Sequence, residues 1–281
     1  MERNPEEIKS FVRERYAGLA KAKRQSCCAP LAQASASCCG TNQRQIHAEM
    51  LYGKEGLESL PSDVAEFSLG CGNPIAIAEL NEGEVVLDLG SGGGLDCFLA
   101  SQKVGDKGKV IGLDMTPEMI QMARVNAIKV GVTNVEFRLG EMEHMPITDS
   151  SVDAIISNCV INLSPDKDMV FKEAYRVLKP GGRLSISDMV LLGDLPKGIK
   201  ESLEEWAGCI AGALPKKEYL DKIKAAGFVR MTSDEVMVPL YADCEAQVTN
   251  ESQPYMDLSN KVASIRVKAF KPQKSRRRSG R

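Results

Sequence analysis

The stretch EVVLDLGSGGGLDC, residues 84–97, joins an aliphatic run to a helical run through four glycines. This pattern predicts a strand, a tight turn at its carboxyl end and a helix that begins just after the turn. Open α/β sheets bind ligands at that edge, and glycines let a ligand approach the main-chain N–H groups at the helix N-terminus. The stretch therefore predicts an α/β fold with a ligand site at residues 90–94.

The pattern of short aliphatic runs alternating with helical stretches continues outward from this turn. Strands are predicted at 109–114, 134–140, 151–158 and 181–190, the last after a turn at Pro180, and helices at 95–105, 117–131, 166–179 and 216–228. Such βαβ units give a parallel sheet with helices on both faces. Two final strands are expected at 230–240 and 262–272. Because the second alternates strongly, it is predicted as an antiparallel edge strand.

Four segments follow from this organisation. An amphipathic helix at 5–22, capped by Asn4, and a cysteine-rich segment without packing residues occupy 1–59. The ligand-binding core is predicted at 60–192, and inserted helices and final strands that complete the sheet at 193–270. Residues 271–281 are expected to form a basic disordered tail.

The glycine turn differs from the dinucleotide-binding fingerprint. That fingerprint, counted from Gly90, requires a glycine at position 95, where the chain has Leu95. The chain instead carries Asp88 before the turn and Asp114 at the end of the next strand. A carboxylate at Asp114 is placed to accept hydrogen bonds from a ribose diol, and Asp88 to orient the loop or to meet a cofactor amino group. S-adenosylmethionine fits this pattern better than a pyrophosphate cofactor does, against the alternatives of a structural turn or another nucleotide.

Charge and composition exclude several classes of partner. The 281 residues carry a formal net charge of -2, which gives no basic field for nucleic acid or an anionic membrane. The N-terminus is charged from its second residue, and no run approaches the roughly 18 apolar residues of a spanning helix. A cytoplasmic protein is expected. Nine cysteines without an export signal favour reduced, reactive or ligating thiols over a disulfide framework.

Three cysteines lie in positions that favour a shared site. Cys159 follows the fourth strand at the edge of the glycine turn, Cys71 lies in a glycine-flanked loop, and Cys209 lies on an inserted helix able to cover that edge. Each of them alone is typical of core packing. Together, three thiolates suit a soft centre. Zinc is weakly supported because the two histidines lack a partner pattern, so no tightly bound metal cofactor is expected.

Five motifs together resemble the arsenite S-adenosylmethionine methyltransferase family over about residues 60–239. They are LDLGSGGGLDC, GLDMTPEM, SNCVINLSPDK, EAYRVLKPGGRL and WAGCIAGAL. The resemblance implies a seven-stranded Rossmann-like methyltransferase in which Cys71, Cys159 and Cys209 bind arsenic(III) and are the catalytic residues. It implies cofactor contacts from the loop and the strand ends: Asp88, Gly90, Ser91, Gly92, Gly94, Asp114, Met115, Met142, Glu143 and Asn158. The chain departs from the family at Leu69, where many relatives have an aromatic residue.

The resemblance also gives an interpretation of CCAPLAQASASCC, residues 27–39. A cysteine of this region would relay arsenite, or its thiol conjugates, to the three thiolates or form a transient disulfide, and Cys39 and Cys28 are preferred. Methylation raises arsenic to the pentavalent state, so turnover implies a thioredoxin- or glutathione-type reductant. Two alternatives stay open. One is a methyltransferase of a quinone- or sterol-like substrate, and the other is a non-enzymatic protein that binds soft metals.

Overall fold

The computed structural model describes residues 4–26, 48–65, 70, 72–195, 206, 211–236 and 261–273. Among the described residues before the sheet, the named helices are α1 (Pro5–Ser26), α2 (Lys54–Leu57), α3 (Ser62–Ala65) and α4 (Pro74–Ala78), and residues 48–52 are also helical. The alternating part runs β1 (Val85–Leu89), α5 (Leu95–Val104), β2 (Lys109–Asp114), α6 (Pro117–Val130), β3 (Val135–Leu139) and β4 (Val152–Asn158). A short 3₁₀ turn (Ile161–Leu163), α7 (Lys167–Val177), β5 (Leu178–Leu191), α8 (Lys216–Ala225), β6 (Val229–Val236) and β7 (Val262–Phe270) follow.

The seven strands form one sheet in the order β3-β2-β1-β4-β5-β7-β6. The strands from β3 to β5 are parallel, and β1 lies between β2 and β4. Successive residues of β1 enter opposite cores, Val86 on one face of the sheet and Leu87 on the other. Both faces are therefore covered, as the α/β prediction requires. The carboxyl ends of β1, β2 and β4 meet at one edge, where the glycine turn lies.

Helix boundaries follow the local signals. Asn4 caps α1 by accepting a 3.0 Å hydrogen bond from Glu6 N to its Oδ1, and Pro5 occupies the first turn. Thr116 and Pro117 begin α6, and Gly131 ends it in a left-handed conformation at φ 75°. These boundaries confirm the sequence predictions for both helices, although α1 extends four residues further, to Ser26.

Two strand predictions are wrong in detail. The strand β7 is antiparallel, as expected, but it lies between β5 and β6, and β6 forms the edge of the sheet. The first four residues of β7, 262–265, are all buried, so both faces of the strand are covered there. Buried and half-buried residues alternate only in the rest of the strand. The strand β5 begins at Leu178 instead of after the turn at Pro180. Leu178 pairs with Val152, and a shift of register before Arg183 absorbs Pro180 and Gly181.

Candidate functional site

An open cavity lies at the carboxyl ends of β1, β2 and β4 and encloses about 1020 Å³ including its mouth. Eight of the ten predicted cofactor residues and one predicted thiol line it: Gly90, Ser91, Gly92, Asp114, Met115, Met142, Glu143, Asn158 and Cys159. Asp88 and Gly94 do not line it. The cavity therefore lies at the sheet edge that the sequence predicted as the ligand site, and the fold brings most of the predicted residues together there.

The glycine loop is held by neighbouring elements. Gly92 N donates to Asp114 Oδ2 over 2.9 Å, while Asp114 Oδ1 accepts from Thr116 N over 2.8 Å. Burial raises the pKa of Asp114, and these backbone donors partly offset that effect. On the far side of the loop, buried Asn126 donates to Gly93 O over 2.9 Å. Asp114 lines the cavity, and its carboxylate is the type of acceptor that a ribose diol requires.

Gly90 packs against the segment that follows β4. It has a left-handed backbone at φ 68°, and a Cβ at this position would collide with the side chain of Val160. Only glycine fits both the backbone conformation and the close approach. The cofactor loop and the residue next to Cys159 are therefore in direct contact.

Asp88 lies beneath the loop instead of facing the cavity. Its side chain is buried, and its Oδ2 accepts a 3.2 Å hydrogen bond from the Cys97 thiol. Burial, together with the charge of Asp96, raises the pKa of Asp88. Of the two roles considered for Asp88, this position favours support of the loop over contact with an amino group. Gly94 begins α5 at φ 94°, where a Cβ would lie 2.7 Å from Phe98, so its role is close packing.

Asp96 and Tyr52 line the cavity and were not among the predicted site residues. Asp96 follows the glycine loop in the first turn of α5. Burial raises its pKa to about 6, against hydrogen bonds from Asn158 and Tyr52 that lower it. Because Asp96 lies within residues 84–97, directly after the glycine turn, its position in the sequence could have identified it as a site residue. Tyr52 lies in a segment distant in sequence, and no motif there predicted its place at the cavity.

Helix α1 also covers the cavity, through Lys9, Val12 and Tyr16. Lys9 Nζ lies 2.7 Å from Glu141 Oε2 and 3.8 Å from Glu143 Oε1. Burial alone would lower the Lys9 pKa, but the hydrogen bond to Glu141 and the two carboxylate charges outweigh it, and the pKa is raised. The ammonium group therefore stays charged and ties α1 to the cavity wall.

Cys159 occupies a strained position at the cavity. Its backbone is left-handed at φ 61°, which is unusual for a residue other than glycine, and its N donates to Ser187 O over 2.7 Å. The side chain is 8% exposed and packs with Leu163 and Met189. Strain of this kind persists where surrounding contacts fix the geometry, and it concentrates at functional sites. The Cys159 thiol forms no disulfide with the other described cysteine, Cys97.

Cys71, Cys209 and the predicted relay cysteines, Cys28 and Cys39, lie outside the described residues, as does Leu69. The structure does describe residues that flank Cys71 and Cys209, and these residues contact the segment around Cys159. Asn158 Nδ2 donates to Gly72 O over 2.7 Å, and its Oδ1 accepts from Gly72 N over 3.2 Å. Gly70 also packs against the Asn158 amide.

The flanks of Cys209 meet the same segment a few residues later. Trp206 Nε1 donates to Leu163 O over 3.2 Å, and Gly212 packs against the carbonyl of Asn162. Ala213 lies in the same apolar cluster as Cys159. Within the described ranges, no group of three or more His, Cys, Asp or Glu residues could hold a metal ion.

The cavity suits S-adenosylmethionine in its polar groups and its apolar lining. Asp114 offers ribose acceptors, and Met115 and Met142 supply apolar surface. Asp96 Oδ1 and Ser91 Oγ are buried and have no hydrogen-bond partner within the described part of the chain. Residues 80–227 match the family model described as a methyltransferase domain. Fold and cavity together define a methyltransferase of the S-adenosylmethionine-dependent class.

Similarity to known proteins identifies the family within this class. The chain is 43% identical to the arsenite methyltransferase of Halobacterium salinarum over 277 residues, which cover 96% of this chain and 68% of that protein. It is 36% identical to the arsenite methyltransferase of Mus musculus over 235 residues, 80% of this chain and 59% of that protein. The chain belongs to the arsenite methyltransferase family.

A solved structure agrees with this assignment. The arsenic(III) S-adenosylmethionine methyltransferase of Chlamydomonas reinhardtii matches with a TM-score of 0.64 at 33% identity, over 79% of this chain and 74% of that one. No helix among the described residues is long and apolar enough to cross a membrane.

Proposed function

We propose that this protein transfers the methyl group of S-adenosylmethionine to trivalent arsenic that is bound by the thiolates of Cys71, Cys159 and Cys209. Arsenite or its thiol conjugates would be the substrate, and methylated arsenicals the product of detoxification. The observation that carries the proposal is Cys159, held at φ 61° on the wall of the cavity and adjacent to Val160, which contacts the cofactor loop.

The surroundings of Cys159 support a site of three thiolates. Asn158 binds the backbone of Gly72 on one side of Cys71, and Asn162 and Leu163 contact Gly212 and Trp206 on the two sides of Cys209. All these contacts fall within six residues of one segment, 158–163. Thiolates select soft ions such as arsenic(III), so three of them near the cofactor cavity suit this substrate.

The cofactor chemistry requires no general base from the chain. S-adenosylmethionine, when bound, supplies an electrophilic methyl group, which the arsenic lone pair takes as the carbon–sulfur bond breaks. The residues of the chain contribute alignment: Cys159 fixes arsenic at the end of β4, and Asp114 fixes the cofactor at the end of β2. Holding two reactants in an attack geometry is worth roughly 7–11 kcal/mol in favourable systems.

Turnover needs a source of electrons. Transfer of the methyl group oxidises arsenic from the trivalent to the pentavalent state, so two electrons must be returned before the next methylation. Thiols would supply them as a disulfide forms, and a thioredoxin- or glutathione-type reductant of the reducing cytoplasm would restore the thiols. Cys39 and Cys28 are the preferred relay cysteines within this proposal.

The test is incubation with arsenite, S-adenosylmethionine and a thiol, followed by chromatographic speciation of the arsenic. We expect methylated arsenic from the wild type and none from Cys159→Ser, while binding of S-adenosylmethionine, measured by calorimetry, persists. Cys97→Ser is the matched control because the Cys97 thiol is also buried but bonds Asp88 beneath the loop. Normal arsenite turnover by Cys159→Ser would refute the thiolate site. Transfer only to an organic acceptor would refute arsenic as the substrate.

A further inference from the structure

We propose that Asp96 binds the α-ammonium group of S-adenosylmethionine and so acts as a cofactor-binding residue. The inference rests on the proposed cofactor and deepens it. It assigns to Asp96 the contact that the sequence had suggested for Asp88. Asp88 is buried beneath the loop and bonded to Cys97, whereas Asp96 lines the cavity beside Gly92 and Gly93.

The hydrogen bonding of Asp96 leaves accepting capacity unused. No donor among the described residues reaches its buried Oδ1. Its Oδ2 lies 3.2 Å from Asn158 Nδ2, which also lies 2.7 Å from Gly72 O and 2.9 Å from the Tyr52 hydroxyl. An amide nitrogen carries two protons, so it cannot fully serve three acceptors, and the bond to Asp96 is the longest. Tyr52 also hydrogen-bonds the carboxylate, but Oδ1 stays buried without a donor among the described residues, which is costly unless a ligand supplies one.

The charges around the carboxylate favour a cation. Asp96 shares the cavity with Asp114, and Asp88 lies close enough for its pKa to be raised by the Asp96 charge. The cavity also contains Lys9, but this ammonium is already bound to Glu141 and lies beside Glu143. The glycine-loop end of the cavity therefore carries unbalanced negative charge, which a positively charged ligand relieves.

Two cationic centres of the cofactor could meet this charge, and their chemistry separates them. The sulfonium has no N–H or O–H to donate, whereas the α-ammonium carries three N–H donors. Because Asp96 Oδ1 has no donor among the described residues, the ammonium is the centre that completes the hydrogen bonding of the carboxylate. The first turn of α5 holds the carboxylate in place, where the positive end of the helix dipole stabilises it.

The test compares three ligands by calorimetry with wild type and Asp96→Asn. S-adenosylmethionine has both cationic centres, S-adenosylhomocysteine has only the ammonium, and methylthioadenosine has neither. We expect Asp96→Asn to weaken the first two by a similar factor of about 10 to 100 and to leave methylthioadenosine unchanged. The unchanged ligand also shows that the variant is folded. Asp114→Asn provides the contrast, since loss of a ribose contact should weaken all three.

Each other outcome has a defined meaning. Unchanged binding of S-adenosylhomocysteine by Asp96→Asn, with or without weaker S-adenosylmethionine binding, would overturn the ammonium assignment. Equal weakening of all three ligands would assign Asp96 a structural role and overturn it too. A wild type that binds the cofactor but methylates no arsenic would refute the proposed substrate, and the binding comparison would still decide the role of Asp96. A wild type that binds none of the three would refute both proposals.

Discussion

Asn158 offers a way to perturb the proposed arsenic site without removing a thiol. Its amide makes two hydrogen bonds to the backbone of Gly72, at 2.7 and 3.2 Å, next to Cys71. A net value of roughly 0.5–1.5 kcal/mol for each bond gives about 1–3 kcal/mol for holding this flank against the end of β4. In Asn158→Ala that free energy is lost, so we expect arsenite affinity to fall about 5- to 150-fold.

The assay is an arsenite titration without cofactor, followed by the fluorescence of Trp206. This is the one tryptophan of the chain, and it contacts Leu163 near Cys159. The matched control is Asn134→Ala, because Asn134 also makes two hydrogen bonds, to Ser101 and Gly105, but lies at the opposite end of the sheet. We expect this control to lose stability and to keep its arsenite affinity.

Two results would refute the reasoning. Wild-type arsenite affinity in Asn158→Ala would show that the Gly72 flank does not position a ligand of arsenic. An equal loss of affinity in Asn134→Ala would show that general destabilisation, rather than the contact with Gly72, governs binding. All nine cysteines remain in both variants, so a change in thiol number cannot explain either result.

Two further predictions concern the cavity. Replacing Lys9 with Met removes its ion pair with Glu141 and should speed release of S-adenosylhomocysteine about tenfold in stopped-flow measurements, because α1 loses its tie to the wall. Lys21→Met, also on α1, removes the ion pair of an exposed lysine with Glu118 of α6 and should have no effect. Equal rates for the two variants would contradict this prediction. The second prediction concerns pH. Burial raises the pKa of Asp96 to about 6, so the folded chain keeps a proton that the unfolded chain has lost, and the free energy of unfolding falls as pH rises toward 6. Melting temperatures from pH 5 to 7 should therefore decline less in Asp96→Asn than in wild type, and an identical decline would show that Asp96 does not titrate there.

Local sequence signals were sufficient for the parts of the fold that depend on a few neighbouring residues. The β1–loop–α5 unit was predicted correctly because its strand, glycines and helix start lie within 14 residues, 84–97. The start of α1 followed from Asn4 and Pro5 for the same reason. The place of β7 in the sheet depends on pairing with both β5 and β6, and no alternation of apolar residues within 262–270 could reveal two partners.

The residues of the candidate site also divide into those that local sequence signals predict and those that only tertiary packing brings to the cavity. Asp114 and Cys159 were predicted because each ends a strand whose carboxyl end must reach the shared edge. Asp88 was predicted to orient the loop or to meet a cofactor amino group, and its burial within β1, where both faces are covered, favours the first role, whereas Asp96, beyond the turn, lines the cavity. Lys9 and Tyr52 reach the cavity through tertiary packing from segments distant in sequence, and spacing alone does not predict that.

The contact between Gly90 and Val160 would couple the binding of the cofactor to the binding of arsenite. Because Gly90 packs directly against Val160, a ligand that fixes the glycine loop would also restrain the residue bonded to Cys159. Thermodynamic linkage then requires the effect to be equal in both directions, so any tightening of arsenite by the cofactor must be matched by tightening of the cofactor by arsenite. Such mutual retention would favour the complex that holds both reactants over either complex that holds one.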